Sequence, residues 1–140
     1  MIADPICDLL SAEAAITTKL ASFEGAAAIF DFAPAPEHCH QPLITVEEDG
    51  GQPSGARDVQ GFRQRATISI WGNKTYSRAL LRDISKEVWE AVDREHLTLV
   101  DPYCERGVWA DAPRETTDRD GFPGMIILVE VIVHTLSTDI

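Results

Sequence analysis

Arg63-Gln64-Arg65-Ala66-Thr67-Ile68-Ser69-Ile70-Trp71-Gly72, followed closely by Tyr76-Ser77-Arg78-Ala79-Leu80-Leu81-Arg82-Asp83-Ile84, is the stretch that decides the fold. Apolar and polar residues alternate with period two in its first half and recur at helical spacing in its second. A half-buried strand therefore passes to an amphipathic helix within a few residues. One strand face reads Phe62, Gln64, Ala66, Ile68, Ile70 and suits a core; the other reads Arg63, Arg65, Thr67, Ser69, Trp71 and suits solvent or a neighbour. The helix carries Tyr76, Leu80, Leu81, Ile84, Val88 and Val92 as one stripe ending near Glu95, with charged residues on its remainder.

Upstream, Asp4-Pro5 makes a good helix start. Asp can accept the free amides of a first turn, and proline there gives up no hydrogen bond. Ile6, Leu9, Leu10, Ile16, Leu20 and Phe23 then fall on one face, so a first helix is expected from about Asp4 to Glu24, ended by Gly25 in a left-handed conformation. Ala27 to Phe32 reads as a short strand stopped by Pro34 and Pro36, and Leu43 to Glu48 as the next. Between Asp49 and Gly61, Gly50, Gly51, Gly55, Gly61 and Pro53 indicate a flexible loop or an extended hairpin tip.

Downstream, Leu97 to Val100 is short and apolar, Gly107 to Ala110 is a strand candidate, and Asp118 to Pro123 is a polar turn built on Asp120-Gly121. Met125 to His134 is nearly apolar on both faces and belongs in the middle of a sheet. The order of elements implies one α+β domain: a mainly antiparallel sheet with two helices on one face.

At 140 residues the chain is long enough for one substantial core, and 44% hydrophobic with 25% charged residues is the ordinary globular range. Its net charge of −11, with acids spread along the chain, disfavours adhesion to DNA or anionic membranes and points to protein partners, although acidity also serves solubility alone. Cys7, Cys39 and Cys104 are odd in number and widely spaced, as for reduced thiols. The longest uncharged apolar stretch, Met125 to Val129, is far too short to cross a bilayer as a helix, so a soluble protein made in the cytoplasm is expected.

The nearest approach to a metal site is His38-Cys39-His40 beside Glu37, but adjacent side chains of an extended segment point to opposite sides, so His38 and His40 could share a face while Cys39 could not, and no second ligand pair follows. Neither Cys39 nor Cys104 has a setting that would activate a thiol, and no phosphate-cradle, nucleophile-elbow or metalloprotease motif is present. No catalytic residue, metal site or cofactor site is assigned. The aromatics are more informative: Trp71 lies on the polar side of its strand, and Trp109 and Phe122 lie in or beside polar hairpin segments, as interface anchors do. Trp89, at the edge of the helical stripe, reads as core rim.

The strand Ala66 to Trp71, the helix opening near Tyr76-Ser77-Arg78-Ala79 and the closing hairpin through Trp109 and Ile126 to Val133 together resemble the tail-terminator, or tail-completion, family of long-tailed bacteriophages and gene transfer agents. The proline-bearing segment from Pro36 to Val46 fits as well. The resemblance implies a ring-forming, non-enzymatic subunit without cofactor that assembles as a homo-hexamer at the tail-neck junction of the virion. There it would meet the tail tube protein and a head-tail connector or stopper protein, while DNA passes through the lumen without specific binding. On that basis Arg63, Arg65, Trp71, Trp109 and Phe122 are expected at subunit interfaces, and Glu47, Glu48, Asp49 and Asp58 toward the lumen. The alternatives are another head-tail connector component, a stopper or adaptor, or a small ligand-binding or enzymatic α+β domain.

Overall fold

The computed structural model describes residues 2–54, 61–73, 78–99, 103–118 and 120–135. Along them the chain forms α1 (Ala3–Ser11), α2 (Ala14–Thr17), β1 (Ser22–Phe23), β2 (Ala26–Ala27), β3 (Ile29–Phe30), β4 (Leu43–Ser54), β5 (Gly61–Trp71), α3 (Arg78–Val92), β6 (Tyr103–Ala110), β7 (Arg114–Thr117) and β8 (Pro123–Thr135). The main sheet has the order β3-β4-β5-β8-β6, with β7 following β6 along the same side of β8. Only the short β3–β4 pairing is parallel, so the expected α+β, mainly antiparallel architecture is the observed one. The nearly apolar β8 lies in the middle of the sheet, between β5 and the β6–β7 edge.

Period-two alternation places Ile44 and Val46 of β4, Ala66, Ile68 and Ile70 of β5, and Met125, Ile127, Val129, Val131 and Val133 of β8 on one buried face. Ile2, Ile6 and Leu10 from the α1 end and Leu81, Ile84, Val88 and Val92 of α3 close over that face. Each aliphatic side chain so buried contributes roughly 1.5–3 kcal/mol relative to exposure. Gln64 shares this side, and its Oε1 is buried without a hydrogen-bond partner.

The C-terminal end of α3 is tied to the edge of β6. The Trp89 indole donates to the Ala110 carbonyl at 3.0 Å, the Asp93 carboxylate accepts from the Ala110 amide at 2.9 Å, and the Arg94 amide donates to the Val108 carbonyl at 2.9 Å. Trp89 is thus a packing residue, and this stretch of edge is occupied within the subunit.

Three expectations need correction. The first helix does not run to Glu24: Glu13 stands where the stripe of Ile6 and Leu10 needs its next apolar contact. The chain turns extended at Glu13 and returns Ile16 to the core through the single turn α2. Glu24 and Gly25, at φ 49° and 85°, then form the two-residue turn of the β1–β2 hairpin, a pair of positive φ angles that suits such hairpins, so Gly25 ends no helix. The acceptor for the first-turn amides is also not Asp4, because Glu48 reaches across from β4 to take the amides of Ile2 and Ala3, the latter at 2.8 Å.

The segment expected as a flexible loop or hairpin tip over 49–61 is a hairpin on its described residues. Its ladder continues from Gly50↔Arg65 to Ser54↔Gly61, past an irregularity between Glu48 and Gly50, and 55–60 lie outside the described residues. The strand expected over Ala27 to Phe32 shrinks to Ile29–Phe30, and Leu97 to Leu99 form no strand.

Candidate functional site

Among the described residues the opposite face of the sheet carries no helix, and alternation dictates its membership. On β5 it presents Arg63, Arg65, Thr67, Ser69 and Trp71, and the register sets Glu130 and Leu128 of β8 directly across from Arg65 and Thr67. Trp109 of β6 stands beside Glu130, while Glu47 and Asp49 continue the face onto β4. Trp109 and Leu128 keep 50% and 37% of their surface exposed, which is unusual for large apolar side chains lying on neighbouring strands. Arg65, Trp109, Leu128, Glu130, Asp49 and Asp111 surround an open depression of about 520 Å³.

Charges on this face are organised sideways within the sheet. Arg63 and Arg65 both approach Glu130, each with Nε 3.6 Å from a carboxylate oxygen, so two cations share one anion. Such exposed pairs stabilise a subunit by only about 0–1 kcal/mol, which leaves the arginines available to a second carboxylate. Thr67 donates its hydroxyl to Asp49 at 2.6 Å, fixing the acid that flanks Arg65.

Both outer tryptophans lie over glycine. A Cβ at Gly124 would come within 2.6 Å of the Trp71 ring, and one at Gly107 within 2.4 Å of the Trp109 ring. Glycine therefore lets each ring lie flat on the sheet instead of standing away from it. Trp71 is further held by a small second core of Ala28, Phe30, Cys39 and Leu43, formed where residues 28–43 fold across this end of the face. The outer face is consequently roofed at the Trp71 end and open at the Trp109 end.

Of the residues singled out from the sequence, Arg63, Arg65, Trp71, Trp109, Glu47 and Asp49 share this face. Phe122 lies at its roofed end, in the five-residue β7–β8 turn, where its amide donates to the Asp118 carboxylate at 2.8 Å. Glu48 does not belong with them. It points to the helical side and is engaged at the N-terminus of α1. Burial works to raise its pKa, but hydrogen bonds from the α-amino group and the amides of Ala3 and Ile2, with the amino group's charge, outweigh it and lower the carboxyl below its usual range. Asp58 lies outside the described residues.

Catalytic chemistry finds no footing in the described thiols. Burial, reinforced by the nearby carboxylates of Asp31, Asp4 and Asp8, pushes the Cys7 thiol up to about 12, and burial raises Cys39, whose Sγ donates to the His40 carbonyl at 3.3 Å. The side chain of Cys104 lies outside those described. His38 and His40 are exposed while Cys39 faces the small core, and among the described residues no group of three or more His, Cys, Asp or Glu is placed to hold a metal. No helix among them is long and apolar enough to cross a membrane.

Three participants escape a one-strand reading. Glu130 and Leu128 matter only through the register that sets them opposite Arg65 and Thr67. The strand β7 is short, but Arg114-Glu115-Thr116-Thr117, threonine-rich and ahead of the Asp118 turn, carries a weak signal for it. Glu115 there accepts from Arg82 Nε at 2.6 Å and lies 4.0 Å from Arg78 Nη1, anchoring α3 to the strand.

Comparison with known proteins bears on this geometry. The family model described as tail completion protein gp17 matches residues 4–134. A chain from a solved structure described as the virion of a native gene transfer agent particle has the same fold, with a TM-score of 0.76 at 14% identity, covering 95% of this chain and 94% of that one. No curated protein sequence matches the chain significantly.

Proposed function

Since the chain belongs to the tail completion protein gp17 family, we propose that it acts as a structural subunit that closes the phage tail tube as a hexameric ring, stops tube elongation and presents the joining surface for the head. The observation that carries this reading is the uncovered outer face of the sheet. Trp109 and Leu128 lie exposed beside a pair of arginines that share one carboxylate, a composition suited to a protein neighbour.

In the proposed ring, Arg63, Arg65, Trp109 and Leu128 contact the next subunit, whose carboxylates supply the second anion. Trp71 and Phe122 form the closed end of the same surface. Glu47 and Asp49, on β4 at the margin of the face, turn acidic charge toward the lumen, so that DNA passes without adhering to the wall. A net charge of −11 suits such a channel. The partners are the tail tube protein on one side of the ring and a connector or stopper protein on the other.

Native mass measurement and negative-stain imaging of the purified protein, alone and mixed with its tail tube protein, test the proposal. Rings of six subunits that cap tube ends are expected. A strict monomer that leaves tube ends uncapped overturns it.

A further inference from the structure

We propose that His96 and Glu105 form a latch, closed while the imidazole carries its proton, that pins the connection between α3 and β6 to the edge of the sheet. The His96 Nδ1 lies 2.9 Å from Glu105 Oε2. The two side chains differ sharply in setting: that of His96 is 94% exposed and that of Glu105 only 4%. A carboxylate so enclosed is costly to keep charged without a partner, and among the described residues His96 is the one it has. A proton on an outside ring therefore governs an acid on the inside.

Register accounts for the burial. Glu105 pairs with Val133 of β8, whose side chain belongs to the main core, just before the irregularity between Glu105 and Gly107. Three ties hold the turn after α3 along β6: the Asp93 carboxylate takes the Ala110 amide, the Arg94 amide donates to the Val108 carbonyl, and His96 reaches Glu105. Arg94 stands among them at φ 61°, a left-handed position that glycine fills with less strain. Leu97, directly after His96, is buried in the core. The connection is thus a strained turn kept shut by a few bonds, of which the last has the only donor that titrates near neutral pH.

Glu105 faces the imidazole from β6, Glu95 from its own segment, and Asp8 from α1 across a shallow cleft of about 210 Å³. All three are acids. The hydrogen bond to Glu105 and that carboxylate's charge, reinforced by Glu95 and opposed by desolvation, hold the His96 pKa above the usual histidine value. The folded value then exceeds the unfolded one of about 6.5, so the latch contributes fully below that pH and its contribution is lost as the pH rises through the folded value. Neutral imidazole keeps a hydrogen on Nδ1 in one tautomer, but the charge that strengthens the bond is gone. His134, next to Val133 on β8, alternates to the outer face and takes no part. The latch acts within one subunit and does not depend on the assembly reading.

Amide hydrogen exchange and histidine NMR titration of the full chain from about pH 6 to 9 test the latch. His96 should titrate above the ordinary histidine value. Protection of the Arg94 and Glu95 amides, bonded to the Val108 and Val92 carbonyls, should fall about fivefold across that titration, relative to intrinsic exchange. The Ile68 amide in β5 should show no such step. His96→Gln and Glu105→Gln should each flatten the step, and His134→Gln should leave it intact. His96→Lys, charged throughout the range, should keep the turn protected up to about pH 9.

Exchange in the turn that does not change with pH, a His96 titration at or below the ordinary value, or a wild-type step in His96→Gln would each overturn the proposal. So would an equal fall at Ile68, which marks loosening of the whole subunit, or a wild-type step retained in His96→Lys, which separates the opening from the charge on that side chain.

Discussion

The two faces of one sheet, built from the same strands with the same alternation, end in opposite states. On the helical side Ile68 and Ile127 are fully buried beneath α1 and α3. On the outer side their strand neighbours Thr67 and Leu128 lie on a surface that no helix among the described residues covers, and Leu128 remains 37% exposed. The difference teaches that most of the subunit's stability is invested in the helical face, which leaves the open end of the outer face free to be specified for contact. Side chains on the outer face should then matter little to folding and much to assembly.

The largest effects belong to the buried face. Ile68→Ala or Ile127→Ala should each cost the isolated subunit about 2–5 kcal/mol in chemical denaturation, the range for deleting a fully buried aliphatic side chain. Leu128→Ala, one position away, should cost less than about 1 kcal/mol because much of its surface is never removed from water. Equal losses for Ile127 and Leu128 would break the comparison.

Glycine substitutions under the two tryptophans sharpen it within the outer face. Gly124→Ala forces a Cβ against a Trp71 ring held in the second core, with the Ile70 carbonyl 3.2 Å away, and should cost about 1–3 kcal/mol. Gly107→Ala meets only the far edge of the half-exposed Trp109, which can swing aside, so a loss within about 0.5 kcal/mol is expected. Thermal melts of the two variants decide whether the closed end is rigid and the open end adaptable.

On the helical side Glu48 ties β4 to the α1 terminus, and Glu48→Gln should cost about 1 kcal/mol by removing a charge-assisted acceptor for the Ile2 and Ala3 amides. Its folded pKa lies below its unfolded value. Its contribution is therefore fully present above about pH 4.5 and is lost as the pH falls through the lower, folded value. Denaturation of the wild type and Glu48→Gln across that range should converge toward low pH.

A small effect on folding is also expected from Arg63→Ala with Arg65→Ala, which removes two exposed ion pairs and should change subunit stability by less than about 1 kcal/mol. The same double variant should abolish ring formation, and wild-type rings should weaken with added salt as the arginine contacts are screened. Size-exclusion chromatography over a salt series reads both.

Much of the buried face is legible in the sequence because its signals are local. Alternation from Gln64 to Ile70 and the stripe from Leu80 to Val92 need no knowledge of distant residues. The first helix misleads for a physical reason: Leu20 and Phe23 mimic a continued stripe, while Glu13, which breaks it, is a good helix former in isolation. The cap on α1 comes from Glu48, a contact no helix-start rule contains. On the outer face, Arg63, Arg65 and Trp71 follow from alternation along one strand. Their carboxylate Glu130, their neighbour Leu128 and the grouping with Glu47 and Asp49 depend on cross-strand register, which sequence periodicity does not encode.

The most direct measurement is a single-particle reconstruction of the assembled ring on its tube. The expected result places Arg63, Arg65, Trp109 and Leu128 in the contact between neighbouring subunits, with α1 and α3 away from it. Contacts made through the α1–α3 layer, with the outer face of the sheet left in solvent, would contradict the assignment of that face to assembly.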